Sequence, residues 1–233
     1  MTGRADAVIV AAGASRRFGS ETPKQFLPVR GQPLLVHTIA RIRASEEIDD
    51  VVVVLPRNGF DAHQEHMRQF VDDAHLAFVA GGETRQDSVW AGLECVGTRG
   101  DDDLILVHDG ARPLADVALI DEVISRASQT GGAIAAVPVV ETLKEVGGEL
   151  TIRRTVDRKR FYRAQTPQCF RYELLRSAFE AARDDGFFGT DEASLVERRG
   201  ATISIVVGSE HNIKVTTRED LSRVEYFLAQ DAP

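Results

Sequence analysis

The stretch Ala7-Val8-Ile9-Val10-Ala11-Ala12-Gly13-Ala14-Ser15-Arg16-Arg17 runs from a short apolar segment straight into a glycine turn and two arginines. An apolar run this short, without polar alternation, reads as a strand buried on both faces, as in a parallel sheet covered by helices. Runs of the same kind recur at 51–55, 76–79, 104–107 and 133–137. Helical spacing lies between them. Leu35, Ile39 and Ile42 fall at i, i+4 and i+7, Phe60, His63, Met67 and Val71 follow a looser version, and Leu119, Val123 and Ile124 line a face that ends at Gly131-Gly132. This alternation predicts βαβ units, hence an α/β fold with a mostly parallel sheet and ligand loops at the carboxyl ends of its strands.

The alternation stops after Pro138. Residues 139–165 are charged and extended in character, with Gly147-Gly148 at the expected tip of a hairpin. Such a hairpin has too little apolar surface to fold alone, and a second subunit is its natural support. Helices are expected at 172–182 and 192–199, a strand at 202–207 and a last helix at 218–229. Thr216-Thr217-Arg218-Glu219 has the form of a capping box for that last helix. The expectation is one domain over 1–233, with 139–165 as a protruding dimerisation arm.

Composition narrows the function classes. The 233 residues hold 28 Lys+Arg against 36 Asp+Glu, a net charge of −8, which disfavours a general nucleic-acid binder but leaves room for a local basic pocket. A 43% hydrophobic content with 27% charged residues suits a globular chain rather than a disordered one. Cys95 and Cys169 form no disulfide framework, and no apolar run approaches the roughly 18–20 residues of a membrane span. With no signal-peptide pattern at 7–12, a cytoplasmic protein is expected.

Three segments after strands carry chemistry. The first, residues 11–24, offers a small turn whose backbone N–H groups can approach a phosphate, with Arg17 and Lys24 as cations for a polyanion. It is not a G-x-G-x-x-G loop, because Ser15 occupies the second glycine position, and not a Walker A loop, because Ser20 follows Gly19. A solvated basic loop is the plainer alternative. The second is Gly81-Gly82-Glu83-Thr84-Arg85-Gln86-Asp87-Ser88, suited to base recognition by backbone and hydroxyl groups, or simply to capping a helix from Ser88. The third is Val107-His108-Asp109-Gly110-Ala111-Arg112-Pro113. Asp109 at a strand end is placed to hold Mg²⁺, and Arg112 to bind a phosphate, while His108 reads as a packed histidine before it reads as a base. Farther on, Arg158 sits in a charge run that reads as a solvated face. Lys214 lies between Ile213 and Val215, where a lysine needs an anion partner or an edge position. No zinc-ligand spacing and no nucleophile–base pattern occurs in the sequence. The remaining set suits transfer between phosphates.

Taken in order, these segments resemble the 2-C-methyl-D-erythritol 4-phosphate cytidylyltransferases. The resemblance rests on Ala11-Ala12-Gly13 with Arg16-Arg17, Pro23-Lys24-Gln25, Gly81-Gly82 with Arg85 and Asp87-Ser88, and His108-Asp109-Gly110-Ala111-Arg112-Pro113. It continues through Thr155-Val156-Asp157-Arg158, Gln165-Thr166-Pro167-Gln168, Thr190-Asp191-Glu192-Ala193-Ser194 and Asn212-Ile213-Lys214-Val215-Thr216. Gly110 stands where many members carry alanine. The resemblance implies a Rossmann-like nucleotidyltransferase fold, a homodimer joined by an arm, and transfer of CMP from CTP to 2-C-methyl-D-erythritol 4-phosphate with Mg²⁺. Ala11, Ala12, Gly13, Arg17 and Lys24 would then hold the triphosphate, Gly82 and Ser88 the cytosine, and Asp109 the metal and nucleotide. Arg112, Thr142, Thr190 and Lys214, with Arg158 and Thr166 from the partner's arm, would hold the acceptor phosphate. Arg17, Lys24, Arg158 and Lys214 are the implied catalytic cations. A ribitol-5-phosphate cytidylyltransferase is the nearest alternative, and a non-catalytic nucleotide sensor a more distant one. The failed G-x-G-x-x-G pattern disfavours a dinucleotide-dependent oxidoreductase.

Overall fold

A computed structural model describes residues 4–13, 18 and 22–230. Its centre is a seven-stranded sheet. In chain order the strands of the first half are β1 (Ala5–Val10), β4 (Ile48–Leu55), β5 (Leu76–Ala80) and β6 (Leu104–Asp109). Those of the second half are β7 (Gly132–Pro138), β10 (Tyr162–Arg171) and β11 (Ser204–Val207). Their spatial order is β11-β7-β10-β6-β1-β4-β5. Pairing is parallel except at β10, which runs antiparallel to both β6 and β7.

The double-sided apolar runs explain why the strands lie inside. Ala7, Ile9, Val51, Val53, Leu104 and Leu106 face one layer, made by α1 (Leu34–Arg43), α2 (Phe60–Arg68) and α4 (Val117–Thr130). Val8, Val52, Val54, Ile105 and Val107 face the other, made by α3 (Arg85–Val96), α5 (Tyr172–Asp184) and α6 (Glu192–Arg198). A smaller cluster joins Val29 of β2 (Pro28–Val29), Ala111, Val215 and Val224 of α7 (Arg218–Gln230). β2 pairs with β3 (Gln32–Pro33) across Arg30 and Gly31, whose φ values of 50° and 82° give the left-handed turn that two-residue hairpins use. The sequence reading does not anticipate this hairpin.

Three further expectations are corrected. Residues 162–165, assigned to the arm, belong to β10, which the reading misses altogether. Pro167 and the glutamines argue against a central strand, yet Gln165, Thr166 and Gln168 are buried there because neighbouring loops satisfy their polar groups. Helix α3 starts three residues before the expected Ser88 cap. Thr84 is its N-cap, in a reciprocal capping box with Asp87. The cap of α7 is likewise one residue on from the expected box. Thr217 accepts from the Asp220 N–H at 3.2 Å, and the Asp220 carboxylate accepts from the Thr217 N–H at 2.8 Å.

The segment beyond Pro138 contains a separate two-stranded sheet of β8 (Leu143–Val146) and β9 (Ile152–Val156), turning at the expected glycines. Leu150 at its tip is 85% exposed and Ile152 is 63% exposed.

Candidate active site

Asp109 ends β6, between Val10 of β1 and the start of the β6–α4 loop, so the sheet itself delivers its carboxylate to the carboxyl-end mouth. Three cations converge on it. Lys214 Nζ stands 2.9 Å from Oδ2, Arg112 Nε 3.3 Å from Oδ2, and Arg85 Nη2 3.4 Å from Oδ1. Burial alone would raise the pKa of Asp109, but Arg85, Lys214 and Arg112 together drive it far below the usual carboxylate range. The carboxylate is therefore ionised at any physiological pH. Lys214 has found the anion partner that its apolar neighbours demanded.

Arg85 is held from behind by Glu192, a buried residue at the start of α6, through contacts of 2.5 and 3.0 Å. Arg112 Nη1 also donates to the Asn212 carbonyl at 2.6 Å, and the Val215 N–H donates to the Ala111 carbonyl at 2.9 Å. The Lys24 ammonium donates to the Val215 carbonyl. Segment 212–215 is thus fixed between the Asp109 loop and the Lys24 turn. Thr166 Oγ1 accepts from the Asp109 N–H at 3.0 Å, and Gln168 bridges Asp191 and the Ala193 N–H at 2.9 and 3.1 Å. Arg85, Asp109, Arg112, Thr166, Asp191 and Lys214 line a cleft of about 230 Å³ that also reaches Gln165 and Thr190.

The glycine loops meet beside this cleft. Gln25 Nε2 donates to the carbonyls of Ala11 and Gly13 at 2.6 and 3.2 Å, fixing the first turn from beneath. A methyl group at Gly81 would lie 2.4 Å from Ala12 Cβ, so the close approach of the two loops requires glycine there. The Gly82 N–H donates to Ser88 Oγ at 3.2 Å, and that hydroxyl donates to the Thr84 carbonyl at 2.8 Å. Gly110 has a local reason of its own. A Cβ would lie 2.9 Å from Ala11 Cβ and 3.0 Å from Leu35 Cδ1.

The residues singled out from sequence therefore divide. Asp109, Arg112, Thr166, Thr190 and Lys214 line one mouth. Lys24 reaches the Val215 carbonyl next to Lys214, Ala11, Ala12, Gly13 and Gly82 lie on the adjoining loops, and Ser88 lies in the first turn of α3. Thr166, expected from a partner's arm, is instead a residue of β10 that lines the cleft of its own chain, whereas Thr142 and Arg158 do not line the cleft. Both are exposed in the segment beyond Pro138, where the Arg158 guanidinium donates to the Val140 carbonyl. Arg17 lies outside the described residues. His108 is fully buried with Nε2 3.1 Å from the Arg112 carbonyl, and burial lowers its pKa to about 4, so it is a neutral packed histidine at pH 7. Arg85 and its partner Glu192 received no role from the sequence, although both belong to the quoted motifs. Among the described residues no three His, Cys, Asp or Glu side chains group as a metal cage. A lone carboxylate in such a mouth can hold a divalent cation only if substrate oxygens and water complete its shell, which is the habit of Mg²⁺ with phosphates.

Arg85, Arg112 and Lys214 all converge on the one carboxylate of Asp109, with Asp191 on the cleft wall and Glu192 behind Arg85, so the mouth offers several fixed cations to oxyanions that its reactants carry. With the parallel sheet and strand-end glycine turns, that arrangement suits a nucleotidyltransferase. A family model described as 2-C-methyl-D-erythritol 4-phosphate cytidylyltransferase matches residues 5–230. A relative of that name from Syntrophus aciditrophicus (strain SB) is 40% identical over 226 residues, 97% of this chain and 96% of the relative. The chain belongs to the 2-C-methyl-D-erythritol 4-phosphate cytidylyltransferase family, and so is a nucleotidyltransferase enzyme. Solved structures agree. The 4-diphosphocytidyl-2C-methyl-D-erythritol synthase of Anaerococcus prevotii DSM 20548 has a TM-score of 0.83 at 27% identity, covering 97% of each chain. The 2-C-methyl-D-erythritol 4-phosphate cytidylyltransferase of Thermus thermophilus has a TM-score of 0.76 at 33% identity, covering 97% of this chain and 99% of the other. Among the described residues no helix is long and apolar enough to cross a membrane.

Proposed function

We propose that the protein transfers CMP from CTP to 2-C-methyl-D-erythritol 4-phosphate, releasing pyrophosphate and forming 4-CDP-2-C-methyl-D-erythritol. The observation that carries this reading is the convergence of Lys214, Arg112 and Arg85 on Asp109 at the end of β6. The attacking group is a phosphate oxygen, largely dianionic at neutral pH because its second pKa is about 6. It needs no general base, in keeping with a neutral, buried His108. The chemical difficulty is to bring two anions together and stabilise charge at the α-phosphorus during in-line displacement.

In this reading Arg17 and Lys24, with the backbone of Ala11, Ala12 and Gly13, grip the triphosphate. Gly82 and Ser88 read the cytosine. Lys214, Arg112, Thr166 and Thr190 aim the acceptor phosphate. Asp109 would hold Mg²⁺, which when bound supplies Lewis-acid neutralisation of the triphosphate oxygens. One domain over 1–233 uses residues 139–161 as an arm to a second copy, bringing Thr142 and Arg158 to the partner's cleft. The exposed Val146, Leu150, Ile152 and Phe161 support that, because they leave apolar surface uncovered. A cytoplasmic location fits substrates of this kind.

Pyrophosphate release from CTP and Mg²⁺ tests the assignment, with methylerythritol phosphate, ribitol 5-phosphate or no acceptor. Release dependent on methylerythritol phosphate is expected. Equal release with ribitol 5-phosphate, or release independent of acceptor, would overturn the substrate assignment.

A further inference from the structure

The loop that carries Thr190 toward the cleft is tied locally at its two ends, where the Phe187 N–H donates to the Ala182 carbonyl at 2.8 Å and Asp191 caps α6 in a reciprocal box with Ser194. It connects α5 to α6, and Phe188 on it is 68% exposed. Between those ends, the Phe187 carbonyl and the Gly189 N–H are held from outside the loop by Gln86 in the first turn of α3. One side-chain amide makes both bonds. Gln86 Nε2 donates to the Phe187 carbonyl at 3.1 Å, and Gln86 Oε1 accepts from the Gly189 N–H at 3.0 Å. The next residue back, Arg85, holds Glu192 on the far side of Thr190. The loop is therefore pinned before and after Thr190 by two consecutive residues of one helical turn. That turn also follows closely on Gly81-Gly82.

We propose that Gln86 is a positioning residue for the acceptor subsite, setting the place of Thr190 through a two-bond clamp on the backbone of Phe187 and Gly189. The inference rests on the acceptor role given to Thr190 above. The physical reason is specific to the amide. A single planar group that donates at one end and accepts at the other fixes the loop's direction, and an apolar side chain of the same length cannot. The clamp also links the α5–α6 loop to the helix start that follows Gly81-Gly82.

Gln86→Met keeps the length and bulk and removes both hydrogen bonds, whereas Gln86→Glu keeps the acceptor for Gly189 and removes the donor to Phe187. Amide hydrogen exchange and steady-state kinetics on the full chain read the result. In Gln86→Met, exchange at Gly189 should speed up about tenfold and the KM for methylerythritol phosphate should rise about tenfold, with the KM for CTP unchanged and kcat within about threefold. Gln86→Glu should leave Gly189 more protected than Gln86→Met does. Unchanged exchange at Gly189 would overturn the clamp. Faster exchange with an unchanged acceptor KM would overturn its role in positioning. Absence of turnover in the wild-type protein would instead strike the reaction proposed above, and the exchange comparison would still decide the clamp.

Discussion

The Asp109 cleft and the arm beyond Pro138 balance their surfaces in opposite ways. In the cleft, the charged groups around Asp109 are met within the same chain. Asp109 meets three cations, Arg85 meets Glu192, and the Lys24 ammonium meets a main-chain carbonyl. In the arm, β8 and β9 bond to each other, and the apolar side chains of Val146, Leu150 and Ile152 face outward. A two-stranded ribbon of this kind is marginal in water. The cleft is thus pre-set in a single chain, whereas the ribbon leaves apolar side chains uncovered, and in the arm reading proposed above a second copy supplies its support. Damage to the first should stay with the chain that carries it, and damage to the second should be transferable.

The hardest test of that contrast is Asp109→Ala. It leaves Arg112, Arg85 and Lys214 facing one another without their shared anion. Removing one partner from a buried ion cluster typically costs about 3–5 kcal/mol of stability. We expect that loss in urea unfolding, together with loss of measurable turnover. A variant as stable as the wild type would mean that the cluster is not pre-set. Lys24→Ala separates activity from folding. Lys24 is half-buried and bonds the Val215 carbonyl, so unfolding should change only by the worth of one hydrogen bond, about 1–2 kcal/mol. Turnover should fall as for one lost transition-state contact, about 3–4 kcal/mol in the barrier. Arg17→Ala should behave likewise in pyrophosphate-release assays, and near-normal turnover in either variant would break the phosphate-transfer assignment.

The arm is tested by mixing chains. Arg158→Ala and Lys24→Ala should each be nearly inactive alone. If Arg158 serves the partner's cleft, a mixed dimer has one site with both lesions and one with neither. Random assortment then restores about a quarter of wild-type activity, because half the dimers are mixed and each has one intact site. If Arg158 serves its own chain, every site carries one lesion and mixing restores nothing. Subunit exchange, followed with differently labelled chains, must accompany the assay.

Much of this architecture is legible in the sequence because strands buried on both faces leave continuous apolar runs. That is why β1, β4 and β6 can be placed from the sequence to within a few residues. β10 cannot, because its central residues Gln165-Thr166-Pro167-Gln168 look like a turn, and only the loops around Asp109, Asp191 and Ser209 make them acceptable inside. The site divides along the same line. Asp109 and Lys214 announce themselves through local context, an acid at a strand end and a lysine among apolar residues. Arg85 and Gln86 do not, since their partners Glu192 and Phe187 lie 107 and 101 residues away and no spacing rule links them. The displaced caps of α3 and α7 show a finer limit. Adjacent Thr, Asp and Ser residues offer competing caps, and helix packing chooses among them.

The smallest expected effect lies at the start of α7, which backs the cleft. Asp220 accepts from the N–H groups of Thr216 and Thr217 at 2.9 and 2.8 Å and from Thr216 Oγ1 at 2.9 Å, two to three residues beyond Lys214. Burial works to raise its pKa, but the bonds from Thr216 and Thr217 outweigh it and hold the carboxyl below its ordinary value. A group with a depressed folded pKa contributes stability above its unfolded pKa, about 4 for Asp, and loses it as pH falls through the folded value. Asp220→Asn should therefore cost about 1 kcal/mol at pH 7, the usual worth of a helix cap, and the gap from wild type should close below about pH 4. Because Val224 of the same helix packs with Val215, loosening the cap should also raise the acceptor KM slightly. It should leave subunit exchange unchanged, since the cap belongs to the pre-set half of the molecule. Faster exchange in Asp220→Asn would show that α7 supports the arm's contacts as well, and the division between the two regions would have to be redrawn there.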